Sequence, residues 1–139
     1  MKPDSAVEQI MQREFASVRS DERLDLVDDV MSLGRVRHMP VVDDGKLVGV
    51  VSQRDLLAAS LSRVLEFDAQ ERRTFLRSVD VREVMAGRPI TVAPSATLAE
   101  AAALLLRHKI GCLPVVGPDG EAIGLVTETD LLRAAYAAD

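Results

Sequence analysis

The sequence predicts an α/β fold of the α+β type, built from two β-α-β-β-α repeats packed through their sheets about an approximate twofold axis. Three observations predict it. The chain repeats itself, each copy places a helical period after a short β-prone run, and each copy carries an Asp-Gly turn between two apolar stretches. Residues 7–57 reappear as residues 81–132. Val7 matches Val81, Met11 Met85, Val18 Val92, Leu24 Leu98 and Pro40 Pro114 at a constant spacing of 74 (81 − 7). One extra residue in the second turn makes the spacing 75 (124 − 49), which matches Gly49 with Gly124, Asp55 with Asp130 and Leu57 with Leu132. Two copies of one supersecondary unit imply two equivalent clefts, and function is sought where the copies agree.

In the second copy, Ile90-Thr91-Val92 reads as a strand stopped by Pro94, and Thr97 with Glu100 forms a capping box for a helix. Leu98, Ala101, Ala102 and Leu105 then give that helix one apolar face. Leu113-Pro114-Val115-Val116 and Ala122 to Val126 read as a hairpin around Asp119-Gly120, as do the matching runs around Asp44-Gly45 in the first copy. A last helix opens near Ser52 and again near Thr127. The crossover helix makes the first two strands parallel and the hairpin makes the last two antiparallel, so a small mixed sheet with helices on one face is expected. The other face is covered by the sheet of the second copy, because half the chain alone is only marginally large enough to fold. The expected division is 1–66 for the first repeat, 67–80 for a helical connecting arm and 81–139 for the second repeat. Asp68 with Glu71, and Asp80 with Glu83, are read as helix starts.

Composition narrows the function. A net charge of −5 and 3% aromatic residues argue against phosphate-backbone binding or base stacking as the main activity, so nucleic acid is disfavoured. No apolar run approaches the roughly 20 residues that span a bilayer, and a soluble, cytoplasmic protein without a membrane partner is expected. The single cysteine, Cys112, excludes an intramolecular disulfide, and its counterpart is His38, so it is read as a small buried filler. His38 and His108 are not counterparts and have no second ligand at metal spacing; no metal site is proposed. The run Glu71-Arg72-Arg73 is read as a solvated helix face, and Leu104-Leu105-Leu106 as core or dimer surface.

The best-matched stretch is Gly49-Val-Val-Ser52-Gln-Arg-Asp55-Leu against Gly124-Leu-Val-Thr127-Glu-Thr-Asp130-Leu. In both, a glycine lets another group approach the strand, the strand ends in a hydroxyl, and an aspartate follows in the first helical turn. The tetrapeptide has two readings. It is a helix cap, the hydroxyl satisfying a free N–H and the carboxylate facing the positive helix end. It is also a ligand contact, with backbone donors and a hydroxyl for phosphate and an aspartate for the two hydroxyls of a ribose. The two roles are compatible.

The paired pattern of strand and helix, then an apolar residue before Pro-Val-Val, an Asp-Gly turn, and Gly-x-x-Ser/Thr-x-x-Asp-Leu-Leu, resembles two cystathionine-β-synthase-type (CBS) domains in tandem, a Bateman module. The resemblance covers residues 7 to about 135. It implies clefts between the repeats that bind adenosyl ligands: AMP, ADP, ATP or S-adenosylmethionine as a regulatory ligand, with no catalytic cofactor. By position it implies that Asp55 and Asp130 hold ribose hydroxyls and that Ser52 and Thr127 face the phosphates. Val36 and Met39 before Pro40, and Ile110 and Leu113 before Pro114, would flank the adenine, with main chain near Ala16-Ser17 and Ile90-Thr91 at its edge. The first copy departs from the family pattern, with Phe15 and Ser20 where the second has Pro89 and Pro94. The resemblance also implies a homodimer, with the helices Leu56 to Leu65 and Leu131 to Tyr136 as its surfaces, and an effector protein in trans or on the same polypeptide.

Charge beside the motif separates the copies. Arg54, with Arg37 nearby, favours a polyphosphate at the Ser52/Asp55 site, whereas Glu128 favours AMP or S-adenosylmethionine at the Thr127/Asp130 site. The alternative is that both charges simply face solvent. A nucleotide hydrolase is disfavoured, since the chain has no phosphate-binding loop and no acidic metal cluster. The remaining alternative is a ligand-independent dimerisation or interaction scaffold, in which the motifs are only caps.

Overall fold

A computed structural model describes the main chain of residues 1–64 and 68–137, and the side chains of that set apart from 60–64. The chain forms two compact units. The first-copy unit holds Ala16–Asp44 and Val48–Arg88, and the second-copy unit holds Met1–Phe15, Gly45–Leu47 and Pro89–Asp139.

In the first-copy unit, helix α1 (Leu24–Gly34) buries Leu24, Val27 and Met31, one face at the helical spacing. It ends at Arg35, whose left-handed φ of 52° closes the last turn. Strands β1 (His38–Asp43) and β2 (Lys46–Ser52) pair in a two-stranded sheet. Their turn is Asp44 (φ 52°) and Gly45 (φ 79°), and two successive left-handed residues give the twist a tight hairpin needs. Helices α2 (Gln53–Val64) and α3 (Ala69–Arg77) follow. Leu24, Met39, Val41, Val51, Leu56, Leu76 and Val81 belong to one core.

The second-copy unit repeats this with α4 (Leu98–His108), β3 (Cys112–Val116), β4 (Ala122–Thr127) and α5 (Glu128–Tyr136). The Thr97/Glu100 capping box forms as expected, with Glu100 N–H donating to Thr97 Oγ1 at 3.1 Å and Thr97 N–H to Glu100 Oε2 at 3.2 Å. The β3–β4 ladder is antiparallel, with Pro114 opposite Leu125 and an irregularity between Val115 and Val116.

The structure corrects four expectations. The first is the leading strand of each mixed sheet, which shrinks to one residue: Val92 bridges Val115 in parallel, and Val18 bridges Val41. Its two hydrogen bonds are Val92 N–H to Pro114 O (3.1 Å) and Val116 N–H to Val92 O (3.0 Å). A turn begins immediately afterwards, Ala96 N–H to Ala93 O at 3.0 Å and Glu22 N–H to Arg19 O at 3.2 Å, so the ladder has nowhere to extend. The parallel direction itself is as expected for a helical crossover.

The second concerns the opening segment of each copy, which packs within the unit built mainly from the other. The short 3-10 turn Val7–Gln9 sits in the second-copy unit, where Val7 N–H reaches Ala96 O at 2.7 Å. Its counterpart Val81–Glu83 sits in the first-copy unit, where Val81 N–H reaches Glu22 O at 2.8 Å. The third is Asp80 with Glu83, which heads only this three-residue turn, not a full helix. Asp68 does open a helix, accepting from Glu71 N at 2.8 Å.

The fourth is the arginine run of α3, which is only partly solvated: Glu71 is exposed, while Arg72 and Arg73 are half-buried beside carboxylates of α1. Arg72 grips Asp28 through both nitrogens at 3.0 and 3.2 Å, and Arg73 grips Asp29 at 2.8 and 2.9 Å. Arg77 lies 3.6 Å from Asp25. The Arg73 guanidinium bonded to Asp29 holds that carboxyl below its ordinary 3.8. The counterparts of the three aspartates are Ala99, Ala102 and Ala103, so this fork-to-carboxylate ladder exists on one copy alone.

Candidate functional site

Each copy ends its hairpin in the hydroxyl-aspartate pair, and the local geometry is the same in both. Ser52 N–H donates to Asp55 Oδ2 at 2.8 Å while Asp55 N–H donates to Ser52 Oγ at 3.0 Å. Thr127 N–H donates to Asp130 Oδ2 at 2.9 Å while Asp130 N–H donates to Thr127 Oγ1 at 3.2 Å. Each pair is therefore a reciprocal cap, which fixes the carboxylate at the positive end of α2 or α5. A hydroxyl that accepts here keeps its own proton for a ligand oxygen.

The helix ends offer fewer donors than the sequence suggests. Gln53 N–H is taken by Arg37 O at 2.8 Å and Glu128 N–H by Gly111 O at 3.1 Å. The cap takes the aspartate N–H.

The glycine of each motif is explained by packing. A β-carbon at Gly124 would lie 2.5 Å from Met11 Sδ, and one at Gly49 would lie 2.6 Å from Met85 Sδ. The group that approaches each strand is thus a methionine from the opening segment of the other copy. Beside it the main chain closes a two-bond bridge: Gln12 with Leu125 at 2.8 and 3.0 Å, and Ala86 with Val50 at 2.9 and 3.1 Å.

Here the copies part. Gln12 Nε2 donates to both oxygens of Asp130, at 3.2 and 3.0 Å, and Arg133 Nη1 lies 3.6 Å from Oδ1. Asp130 is buried, at 7% exposure. At the matching places the first copy has Ala86 and Ala58, and Asp55 is half-buried. Among the described residues, its carboxylate accepts from Ser52 N–H alone. Sequence reasoning missed Gln12 because the repeat does not contain it.

The expected adenine-flanking residues divide into two groups. Met39 (1% exposed) and Leu113 (0%) are sealed into the two cores with Pro40 and Pro114, while Val36 and Ile110 are half-buried. The proline carbonyls are occupied, accepting from Val18 N–H at 3.0 Å and Val92 N–H at 3.1 Å. Ser17 is exposed, Ile90 and Thr91 are half-buried, and Arg54, Arg37 and Glu128 are exposed. Ser20, where the second copy has Pro94, uses its N–H (3.0 Å) and hydroxyl (2.5 Å) to hold Asp43, and these donors lower the Asp43 pKa. Cys112 is buried, and burial pushes its thiol up to about 12. Among the described residues no cluster of metal-ligating side chains occurs and no helix is long and apolar enough to cross a membrane.

Three comparisons bear on this geometry. The chain is 34% identical to a CBS domain-containing protein of Dictyostelium discoideum over 127 residues, 91% of this chain and 88% of that one. It is 33% identical to a solved structure of Arabidopsis thaliana CBSX2 in complex with AMP, covering 94% of this chain and 95% of that chain with a TM-score of 0.79. It is also 33% identical over 119 residues to an inosine-5'-monophosphate dehydrogenase of Korarchaeum cryptofilum, 86% of this chain but 22% of that enzyme. The model of the CBS domain matches twice, at residues 7–62 and 81–137, and with both copies carrying the same capped motif the chain belongs to the CBS domain family as a tandem pair.

Proposed function

We propose that this chain is a non-catalytic regulatory module that binds adenosine-containing ligands through Ser52/Asp55 and Thr127/Asp130. One observation carries the reading: a hydroxyl and a carboxylate locked in the same reciprocal bond at the head of a helix in both copies, in a chain 33% identical to one solved with AMP. The carboxylate orients toward ribose hydroxyls, and the helix N-terminus with the hydroxyl proton meets phosphate. Val36 and Ile110 supply apolar surface for the adenine, with the main chain at Ser17 and Ile90-Thr91 at its edge. Arg54 favours ATP or ADP at the first motif; Glu128 favours AMP or S-adenosylmethionine at the second.

Occupancy is signalled through a homodimer to an effector in trans or on the same polypeptide. Exposed Leu57, Leu132 and Tyr136 support the helical dimer surface. The side chains of Leu61 and Leu65, also expected there, lie outside the described set.

A thermal-shift screen with AMP, ADP, ATP and S-adenosylmethionine tests the reading. A ligand at 100 times its Kd adds about 2.7 kcal/mol and raises Tm by roughly 2 to 8 °C. No shift with any of them, together with no heat on calorimetric titration, leaves the motifs as caps and the chain as an interaction scaffold.

A further inference from the structure

The two motifs share their caps but not their surroundings, and the difference falls on the atom pair that a ribose would use. At Asp130 the Gln12 amide already donates to both carboxylate oxygens, at 3.2 and 3.0 Å, and Arg133 stands 3.6 Å away. Those bonds are charge-assisted and part-buried, so a ligand diol must displace them before it can replace them. At Asp55 the corresponding main-chain bridge is present, but it carries Ala86, a methyl group with no donor. The carboxylate that shares its geometry with Asp130 is held on one oxygen by Ser52 N–H, and the other oxygen accepts nothing among the described residues.

We propose that Gln12 is an internal competitor that makes the two adenosyl sites unequal: the Asp55 site is ready for a ribose diol, and the Asp130 site opens only when the Gln12 amide withdraws. The proposal rests on the nucleotide-binding reading above and adds to it a ranking and the residue that sets it. The competing group is the Gln12 side chain alone, since its main chain is tied to β4 through two hydrogen bonds with Leu125. Gln12 and Ala86 are both exposed, so exchanging their side chains leaves the buried cores intact.

Calorimetric titration of AMP into wild type, Gln12→Ala, Ala86→Gln, Asp55→Ala and the double variant Gln12→Ala/Asp55→Ala tests this. Displacing one charge-assisted hydrogen bond corresponds to about tenfold or more in affinity. Wild type should bind one AMP tightly per chain, at Asp55, and a second at least about tenfold more weakly, the Gln12 bonds outweighing the preference for AMP over ATP that Glu128 gives the second motif. Gln12→Ala should tighten the second event, in wild type and in the Asp55→Ala background alike, and Ala86→Gln should weaken the first. Two equal sites in wild type would overturn the proposal while leaving the nucleotide-binding reading in place. So would a weaker remaining site in the double variant than in Asp55→Ala, which would make Gln12 a ligand contact. AMP heats absent from all five proteins, and from wild type with ATP and S-adenosylmethionine, would overturn the nucleotide-binding reading and the ranking with it.

Discussion

Met85 occupies the space where a side chain at Gly49 would begin: a β-carbon there would stand 2.6 Å from its Sδ and 2.8 Å from the Ala86 carbonyl oxygen. At Gly124 the corresponding distances are 2.5 Å to Met11 Sδ and 3.3 Å to the Gln12 carbonyl oxygen. A thioether on a flexible stem can swing aside, whereas a carbonyl fixed by the Val50 bridge cannot. Gly49→Ala should therefore cost about 1 to 3 kcal/mol, and Gly124→Ala distinctly less. Urea unfolding of the two variants checks this, and an equal loss in both would show that the backbone oxygen does not decide the cost.

The aspartates have separable duties. Asp55→Ala and Asp130→Ala should each weaken one ligand site by about tenfold or more, through lost charge-assisted bonds. Each also removes a reciprocal cap worth about 0.5 to 2 kcal/mol of folding stability. The stability loss should be larger at Asp130, which is buried and holds Gln12 as well. Affinity and chemical unfolding measured on the same variants distinguish the duties; unchanged affinity in both leaves only the caps.

Acid should find the first copy through Asp43. Its folded pKa is lowered by the Ser20 hydroxyl and N–H, so the stabilisation is present above the ordinary value of 3.8 and is lost as pH falls through the lower folded value. Removing the hydroxyl with Ser20→Ala should flatten stability against pH below about 4. Urea midpoints from pH 6 to pH 2 give the comparison. An unchanged slope in the variant would assign the acid sensitivity elsewhere, first to Asp29 beside Arg73.

Cys112 should be inert while the chain is folded. Burial holds its thiol near 12, so little thiolate exists at neutral pH and little of the sulfur is accessible. Reaction with a disulfide reagent at pH 8 should be slow in buffer and fast in denaturing urea. A native rate equal to that of a free thiol would place Cys112 in a segment that opens readily.

The sequence by itself determined the repeat, the crossover helix, the hairpins and the caps, because each follows from local chemistry. Asp44-Gly45 writes its turn in two residues that tolerate positive φ, and Thr97 with Glu100 writes a helix start. The reciprocal Ser52/Asp55 and Thr127/Asp130 bonds are equally local, three residues apart. Only the tertiary structure decided which copy's opening segment packs where. A chain that says the same thing twice reads identically whether Met11 packs on Gly49 or on Gly124, since each copy offers the same methionine and the same glycine. The α1–α3 ladder escaped for a related reason: Asp25, Asp28 and Asp29 lie more than 40 residues from their arginines, and nothing in a periodicity pairs distant charges. Gln12 was the least legible of all. Its partner is 118 residues away and its counterpart is an alanine, so a search for what the copies share passes over the contact that makes them differ.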